Sequence, residues 1–557
     1  MSSLLSSGVK GSDIYRSTGD PRLDLSVKCV RGSGDLKDSI KNVLALNTQQ
    51  ATEDAFVLAF HARNIRGGKG ERQVFYDLFQ ELCASNPDIS MALLDLIPHY
   101  GCWNDLFVLA THESVAYKLR EAILDLTARQ LRTDKFAEGT ISLVAKWAPR
   151  EGRYTPLAKA LARMLFPTVP HFSSQMKNYR HLVAGLNARL KTVETFMCSN
   201  RWDEINPSAV PGRAGKVYGK AFLNEPSTFR SKTRTDSLRH PGDSMRMTCR
   251  TMFQEHYAKA AKGEAKVHGA DTLFPHELVK RAAYRTGFGD AEKDQLRAVW
   301  RSMVEKAKAS GGLGRSIFMS DFSGSMQSAG TVGDTPYWVS MALGMLGSEV
   351  CAGEFKDRLM TFDSNPSWHT FRPESDLFER ITSICESRVG QGTSTDFQKA
   401  MDLVLTTLKE KRIRPGEEPE NLIVLTDMGW DEACSSSEMN QHTDNRYRHV
   451  VKTAPWQTQV EMIQEAFKRA GEDMWGKAFT PPRIVIWNLA ASYTDDHHAR
   501  ADTPGVAMLS GWSATQFEVL QKEGPRQMTA YEMLRLELDD PKYDRIRLRI
   551  RAVNGVD

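Results

Sequence analysis

The sequence predicts two joined parts, an N-terminal all-α helical-repeat domain and a C-terminal, open, doubly wound α/β domain. Three observations carry this. From about residue 36 to 310, one amphipathic run follows another with short polar breaks and almost no period-2 alternation. A glycine cluster at 311–314 then punctuates the chain. Beyond it, short runs that are apolar throughout alternate with amphipathic ones, the pattern of a parallel sheet covered on both faces.

In chain order, residues 1–35 are rich in Ser, Gly and Asp and read as a flexible N-terminal arm. The helical text of 36–310 follows. In "ATEDAFVLAFHARNI", Thr52 is the expected N-cap and Phe56, Leu58, Ala59 and Phe60 the apolar face. "ERQVFYDLFQELCAS" repeats the pattern with Val74, Phe75, Leu78, Phe79 and Leu82. "KNYRHLVAGLNARLKTVETFMC" reads as one long amphipathic helix. Paired helices of this kind suit a solenoid, although no clean fixed period is present. The segment 206–243 is basic and dense in Pro and Gly, hence a surface loop region. After 311 the strand candidates are 315–320, 357–362, 421–426, 483–489 and 505–510, with helical runs between them. Open α/β folds bind ligands outside the carboxyl ends of their strands.

Composition narrows the class. Of 557 residues, 41% are hydrophobic and 25% charged, ordinary for a soluble globular protein. No apolar run reaches the length of a membrane span, and the N-terminus lacks the apolar core of a secretory signal, so no membrane partner is expected. Eight cysteines are scattered without a CxxC pair, which argues against a zinc ribbon or disulfide scaffold and points to a reducing, cytoplasmic or nuclear home. The net charge of +4 is unevenly spread: residues 1–310 carry 46 Lys+Arg against 33 Asp+Glu, a net of +13, and 311–557 carry −9. Within 151–250 the excess is +10. Such asymmetry points to a polyanionic partner for the first half, or to two oppositely charged parts that pack together.

The chemistry gathers at the strand ends. After "RSIFMS" come Asp321, Ser323 and Ser325, and after "NLIVLT" comes Asp427. "GQGTSTDF" offers Thr393 and Thr395 just before a helix. In an extended loop the i, i+2, i+4 spacing sends the first three side chains into one pocket, with Gly324 allowing a tight turn. Hard oxygen donors with few carboxylates suit Mg²⁺ or Mn²⁺, with Ca²⁺ as a further choice, and do not suit zinc. The plainer alternative is that Asp321 and Ser323 cap the next helix. No hydrolase elbow or phosphatase motif stands at these positions in the required order, and "RGGKGER" (66–72), between helices, lacks the order of a phosphate-binding loop.

This constellation resembles the metal-ion-dependent adhesion site of von Willebrand factor A domains. The resemblance implies that Asp321, Ser323, Ser325, Thr393 and Asp427 hold the ion, with Thr393 as the first residue of the family's TxT. One coordination position then stays open for an acidic side chain of a protein partner. Over about 57–513 the chain also resembles the TROVE-type proteins of the Ro autoantigen family, and a two-module family like them. The matching stretches include "ARNIRGGKGERQVFYDLF", "LIPHYGCWNDLFVL", "AKWAPREG" and "VLTDMGWD". That resemblance implies HEAT-like helical repeats over 36–310, a von Willebrand factor A-like domain of Rossmann-like winding over 311–557, and a structured RNA partner. Arg63, Arg66, Lys69 and Arg72 are the first group of expected phosphate contacts. Lys146, Arg150 and Arg153 are the second. Lys177, Arg180 and Arg189, continuing into Arg213, Lys216 and Lys220, are the third. For any single one, a solvated helix face is the plainer reading. Trp147, Tyr154 and Tyr179 are base-stacking candidates or packing residues, and Trp103 and Trp202 are expected in the core. The expected function is therefore non-catalytic: an RNA-binding ribonucleoprotein component whose metal site docks a partner. An assembly scaffold without nucleic acid is the alternative, and a metal-dependent hydrolase a weaker one.

Overall fold

All five apolar runs marked as strands are strands. The computed structural model describes residues 5–7, 13–112, 115–226, 238–284, 289–328, 335–363, 365–387, 397–429, 456–521 and 527–555. Two short N-terminal strands, β1 (Leu5–Ser7) and β2 (Asp13–Tyr15), pair antiparallel. The main sheet contains β3 (Ser316–Asp321), β4 (Arg358–Phe362), β5 (Trp368–Thr370), β6 (Asn421–Thr426), β7 (Arg483–Asn488) and β8 (Val506–Ser510). Their spatial order is β5-β4-β3-β6-β7-β8, and all pairings are parallel except that of the edge strand β5. The sequence reading missed β5, because three residues are too few to show a period.

Side-chain alternation splits the sheet between two cores. Ile317, Met319, Leu422, Val424, Ile484 and Ile486 face one core, which also takes Phe397, Met401, Val404 and Phe467 from helices Phe397–Glu410 and Trp456–Trp475. Phe318, Ile423, Leu425, Val485 and Trp487 face the other, filled by helix Pro336–Val350. Burying each such side chain contributes about 1.5–3 kcal/mol. Helix Pro336–Val350 lies close on β3: a Cβ added at Gly347 would fall 2.1 Å from Phe318 Cζ. Gly347→Ala should therefore overpack this layer and cost about 1–3 kcal/mol, read as a lower urea midpoint. An unchanged midpoint would show that the helix does not sit this close.

Three boundaries differ from the sequence reading. First, the helix in "ATEDAFVLAFHARNI" starts earlier, at Gln49, because Thr48 Oγ1 accepts from the Ala51 amide; Thr48, not Thr52, is the cap. The expected long helix also breaks into Phe172–Leu190 and Val193–Cys198, with Lys191 between them at φ 48°. Second, the N-terminal arm is not a flexible tail in its described part. Helix Pro21–Lys28, capped by Asp20 and opened by a proline, buries Leu23, Leu25 and Val27 in the core. Its end meets the sheet, where Asn488 Nδ2 donates to the Val27 carbonyl. Third, helices Pro275–Ala283 and Asp290–Ala309, assigned by sequence to the repeat domain, place Leu278, Val279, Val299 and Met303 in the core over the sheet.

The chain ends also meet. Helices Ala530–Leu538 and Asp544–Asn554 return to the N-terminal helices, and Tyr543, Ile546 and Ile550 share a core with Phe56 and Phe60 of helix Gln49–Arg63. The seam is charged. Buried Asp54 receives Arg535 at 2.6 Å and Arg22 and Arg547 at 3.4 Å, and buried Glu53 receives Arg551 at 2.8 Å and Arg547 at 3.2 Å. Deeper in the same seam His61 lies 3.1 Å from the Glu537 carboxylate and 2.8 Å from the Tyr543 hydroxyl.

Candidate functional site

β3 and β6 are neighbouring parallel strands with Ser320 opposite Leu425, so Asp321 and Asp427 leave the same edge of the sheet from adjacent strands. Parallel neighbours lie about 4.8 Å apart, so the two chains leave the sheet side by side, and Asp321 Oδ2 lies 3.5 Å from the Thr426 hydroxyl just before Asp427. Both aspartates are fully buried. Ser323 Oγ lies 3.0 Å from Ser325 Oγ, and the Ser323 amide donates to Asp321 Oδ1 at 2.8 Å. The loop does not converge by being extended, as expected from the spacing. Asp321 ends a strand, Ser323 sits in the turn, and Ser325 belongs to the short helix Gly324–Ser328. A Cβ at Gly324 would meet nothing within 4 Å, so close packing does not require that glycine. The Asp321–Ser323 bond is a local turn that capping alone also explains.

Asp427 is different. Its Oδ1 accepts from the Gly429 amide at 2.9 Å, while Oδ2 is buried without a hydrogen-bond partner among the described residues. A buried, half-satisfied carboxylate carries a free-energy cost that a bound cation removes. The next residue, Met428, holds φ at 70°, a left-handed conformation unusual for a side chain of this kind. It is braced from behind: His498 Nε2 donates to the Met428 carbonyl at 2.8 Å. Burial pushes His498 down to about 4, against the opposing hydrogen bond to Met428, so the ring is neutral at neutral pH. Gly429 is required here, since a Cβ would lie 2.5 Å from the Tyr493 ring.

The brace extends to the N-terminus. Tyr15 and His497 exchange backbone hydrogen bonds of 2.8 and 3.0 Å, which fixes the loop carrying His498 against β2. Sequence reasoning missed Tyr493, His497 and His498, and no local pattern marks them. Thr393 and Thr395 lie outside the described residues. Among the described residues no group of three or more His, Cys, Asp and Glu side chains could hold a metal. The donors gathered here are two carboxylates and two hydroxyls, hard oxygens that fit Mg²⁺ or Mn²⁺.

Of the expected phosphate contacts, Arg63 and Lys69 are corrected: both are buried. Arg63 Nε pairs with Asp105 at 2.8 Å. Lys69 Nζ donates to the Ser26 carbonyl at 2.6 Å and to Ser510 Oγ at 2.5 Å, tying the N-terminal helix to the end of β8. Burial holds the Lys69 amine below the usual ammonium range, against the pull of Cys29, Glu537 and Glu71. Arg66 and Arg72 are exposed, and Arg66 donates to the His99 carbonyl at 3.0 Å. Half-buried Lys146 pairs with Glu194 at 3.3 Å. Arg150, Arg153 and Lys177 are exposed. Arg180 pairs with Glu151 at 2.8 Å, and Arg189 donates to the Asp134 and Ala137 carbonyls. Arg213 and Lys216 both reach Glu277, and Lys220 is half-buried. Tyr179, Trp103 and Trp202 are buried, while Trp147 and Tyr154 are half-buried.

No helix among the described residues is long and apolar enough to cross a membrane. Residues 315–544 match a family model described as a domain of unknown function (DUF7788), which begins one residue before β3. Residues 102–231 match a second, domain of unknown function (DUF2828). Over 528 residues the chain is 26% identical to "Uncharacterized protein L728" of Acanthamoeba polyphaga mimivirus, a match that spans 90% of this chain and 82% of the viral protein. The likeness to that relative therefore runs through both the helical region and the sheet.

Proposed function

We propose that this chain is a TROVE-like, RNA-binding protein whose von Willebrand factor A-like part docks a partner through a divalent cation. The observation that carries the metal reading is the buried Oδ2 of Asp427, unpartnered among the described residues, at a strand end adjacent to that of Asp321 and its serine pair. Asp321, Ser323, Ser325 and Asp427 would hold Mg²⁺, with Thr393 as the fifth group by resemblance. The ion would supply a Lewis-acidic position for a partner carboxylate. The +13 charge of residues 1–310 supports the RNA reading, together with exposed Arg72, Arg150, Arg153 and Lys177. Binding to phosphates displaces counterions, so affinity must fall steeply with salt.

A fluorescent stem–loop RNA titrated with the purified protein tests this. Binding that weakens linearly on a log–log plot against salt is expected. No binding at low salt would overturn the RNA half and leave an interaction scaffold. One observation favours that second reading: Arg180, Arg213, Lys216 and Lys146 already have carboxylate partners within the chain.

A further inference from the structure

We infer that helices Thr155–Leu165 and Phe172–Leu190 form a binding face for an unpaired RNA strand, a location that rests on the RNA reading above. From Gly152 to Val193 the sequence holds seven Lys/Arg and no Asp or Glu. All seven are exposed. A solvated helix face ordinarily mixes both signs, so a stretch this long without an acid is a one-signed surface. Among the described residues only Arg180 of the seven has a carboxylate within ion-pair distance, Glu151 just outside the stretch; Lys159 also acts on Glu151 and Lys191 on Glu204 from further away, and Arg189 is turned onto carbonyls at the end of helix Tyr117–Phe136.

The second, independent observation is aromatic. Rings on and beside this face, two of them exposed, are covered by cations. Arg163 lies 4.9 Å above Phe172, which is 37% exposed. Lys135 lies 5.1 Å above Phe136, which is 75% exposed. Arg153 lies 5.1 Å above half-buried Tyr154. The first two pairs share one end of the helix layer. Arg132, one turn before Phe136, donates to the Met164 carbonyl at 2.6 Å, next to Arg163.

A protein partner would bury these rings against apolar groups, and a membrane would need them bare to insert. A guanidinium over an exposed ring offers instead a cationic and aromatic surface on which an unstacked base can sit, with the other cations on the phosphates. A duplex cannot use it, because its bases are stacked inside. The face thus selects single strands, and its sequence preference should be weak.

The test is fluorescence anisotropy with labelled oligo-uridine, using the full chain, its R163Q and F172A variants, and the F136A variant. Both Phe172 and Phe136 are exposed, so these changes leave the core intact; circular dichroism melts should superimpose. Expected are binding by the wild type, about ten-fold weaker binding by F172A and by R163Q, and a shallower salt slope for R163Q. Oligo-uridine annealed to its complement should bind less well than the single strand. Wild-type affinity retained in R163Q, F172A and F136A would overturn this face while leaving RNA binding in place. Failure of the wild type to bind any RNA would remove the reading it rests on. Equal loss of duplex binding would reduce the face to a general polyanion surface, and binding to phosphatidylserine vesicles in place of RNA would make it a membrane contact; either overturns the inference.

Discussion

Replacing Asp54 with alanine is expected to destabilise the protein by about 3 kcal/mol, because it removes the fully buried carboxylate on which buried Arg547 and half-buried Arg22 and Arg535 converge, leaving them only Asp20, Asp539 and Glu53. Asp54 is fully buried and lies within ion-pair distance of Arg22, Arg535 and Arg547. Those arginines come from both ends of the chain, so the loss should unseat helices Ala530–Leu538 and Asp544–Asn554. Urea unfolding reads the cost, and limited proteolysis within 530–554 reads the release. As a control, Arg549→Ala breaks an exposed pair with Asp95 and should cost less than about 1 kcal/mol. A D54A midpoint within the range of that control would sink the clamp. The same seam sets an acid limit. Burial works to raise the Glu53 carboxyl, but hydrogen bonds from Arg551, Gln49 and Arg547 overcome it and hold the group below its ordinary 4.5. A depressed carboxylate favours the folded state when ionised. Its contribution is therefore complete above pH 4.5 and is lost as pH falls through the folded value. The E53Q variant should unfold with less acid dependence than the wild type.

The second large effect concerns Asp427. Adding Mg²⁺ should raise the melting temperature of the wild type, by an amount equal to about 2.7 kcal/mol at a hundred-fold excess over Kd. Asp427→Asn should abolish that shift. Without metal, the same variant should be as stable as the wild type or more so, since it removes a buried charge whose Oδ2 has no partner among the described residues. This opposite sign in the two conditions separates a metal site from a merely structural carboxylate, whose loss would destabilise in both. A wild type indifferent to Mg²⁺, Mn²⁺ and Ca²⁺, or a shift that survives in D427N, rules the assignment out.

Much of the sheet was legible because its information is local. Five runs such as Ile317-Phe318-Met319 and Leu422-Ile423-Val424-Leu425 are apolar on both faces, which only a sheet covered on both sides requires. The Asp321–Ser325 and Asp427 motifs were legible for a related reason, since their position just past those runs fixes the edge they share. Other features depended on partners far along the chain. Lys69 reads as a free cation in a glycine-rich turn, yet its amine is held by Ser26 and Ser510, the latter 441 residues away. Arg63 reads as a phosphate contact until Asp105 is placed beneath it. His498 carries no motif, and only the return of its loop to Met428 gives it a role.

By itself, the sequence determined the two kinds of architecture, the strand runs, the oxygen-rich motif at their ends and the basic bias of the first half. Each is written in the residues of one short segment, through period, propensity and charge. Only the tertiary structure decided which cations face solvent, that residues 21–28 are core helix, that helices 275–309 cover the sheet, and that the chain's ends clasp at Glu53 and Asp54. The reason is that a buried charge is tolerated only where an opposite charge or hydrogen-bonding groups meet it. That meeting is set by how distant segments pack, which no single segment encodes.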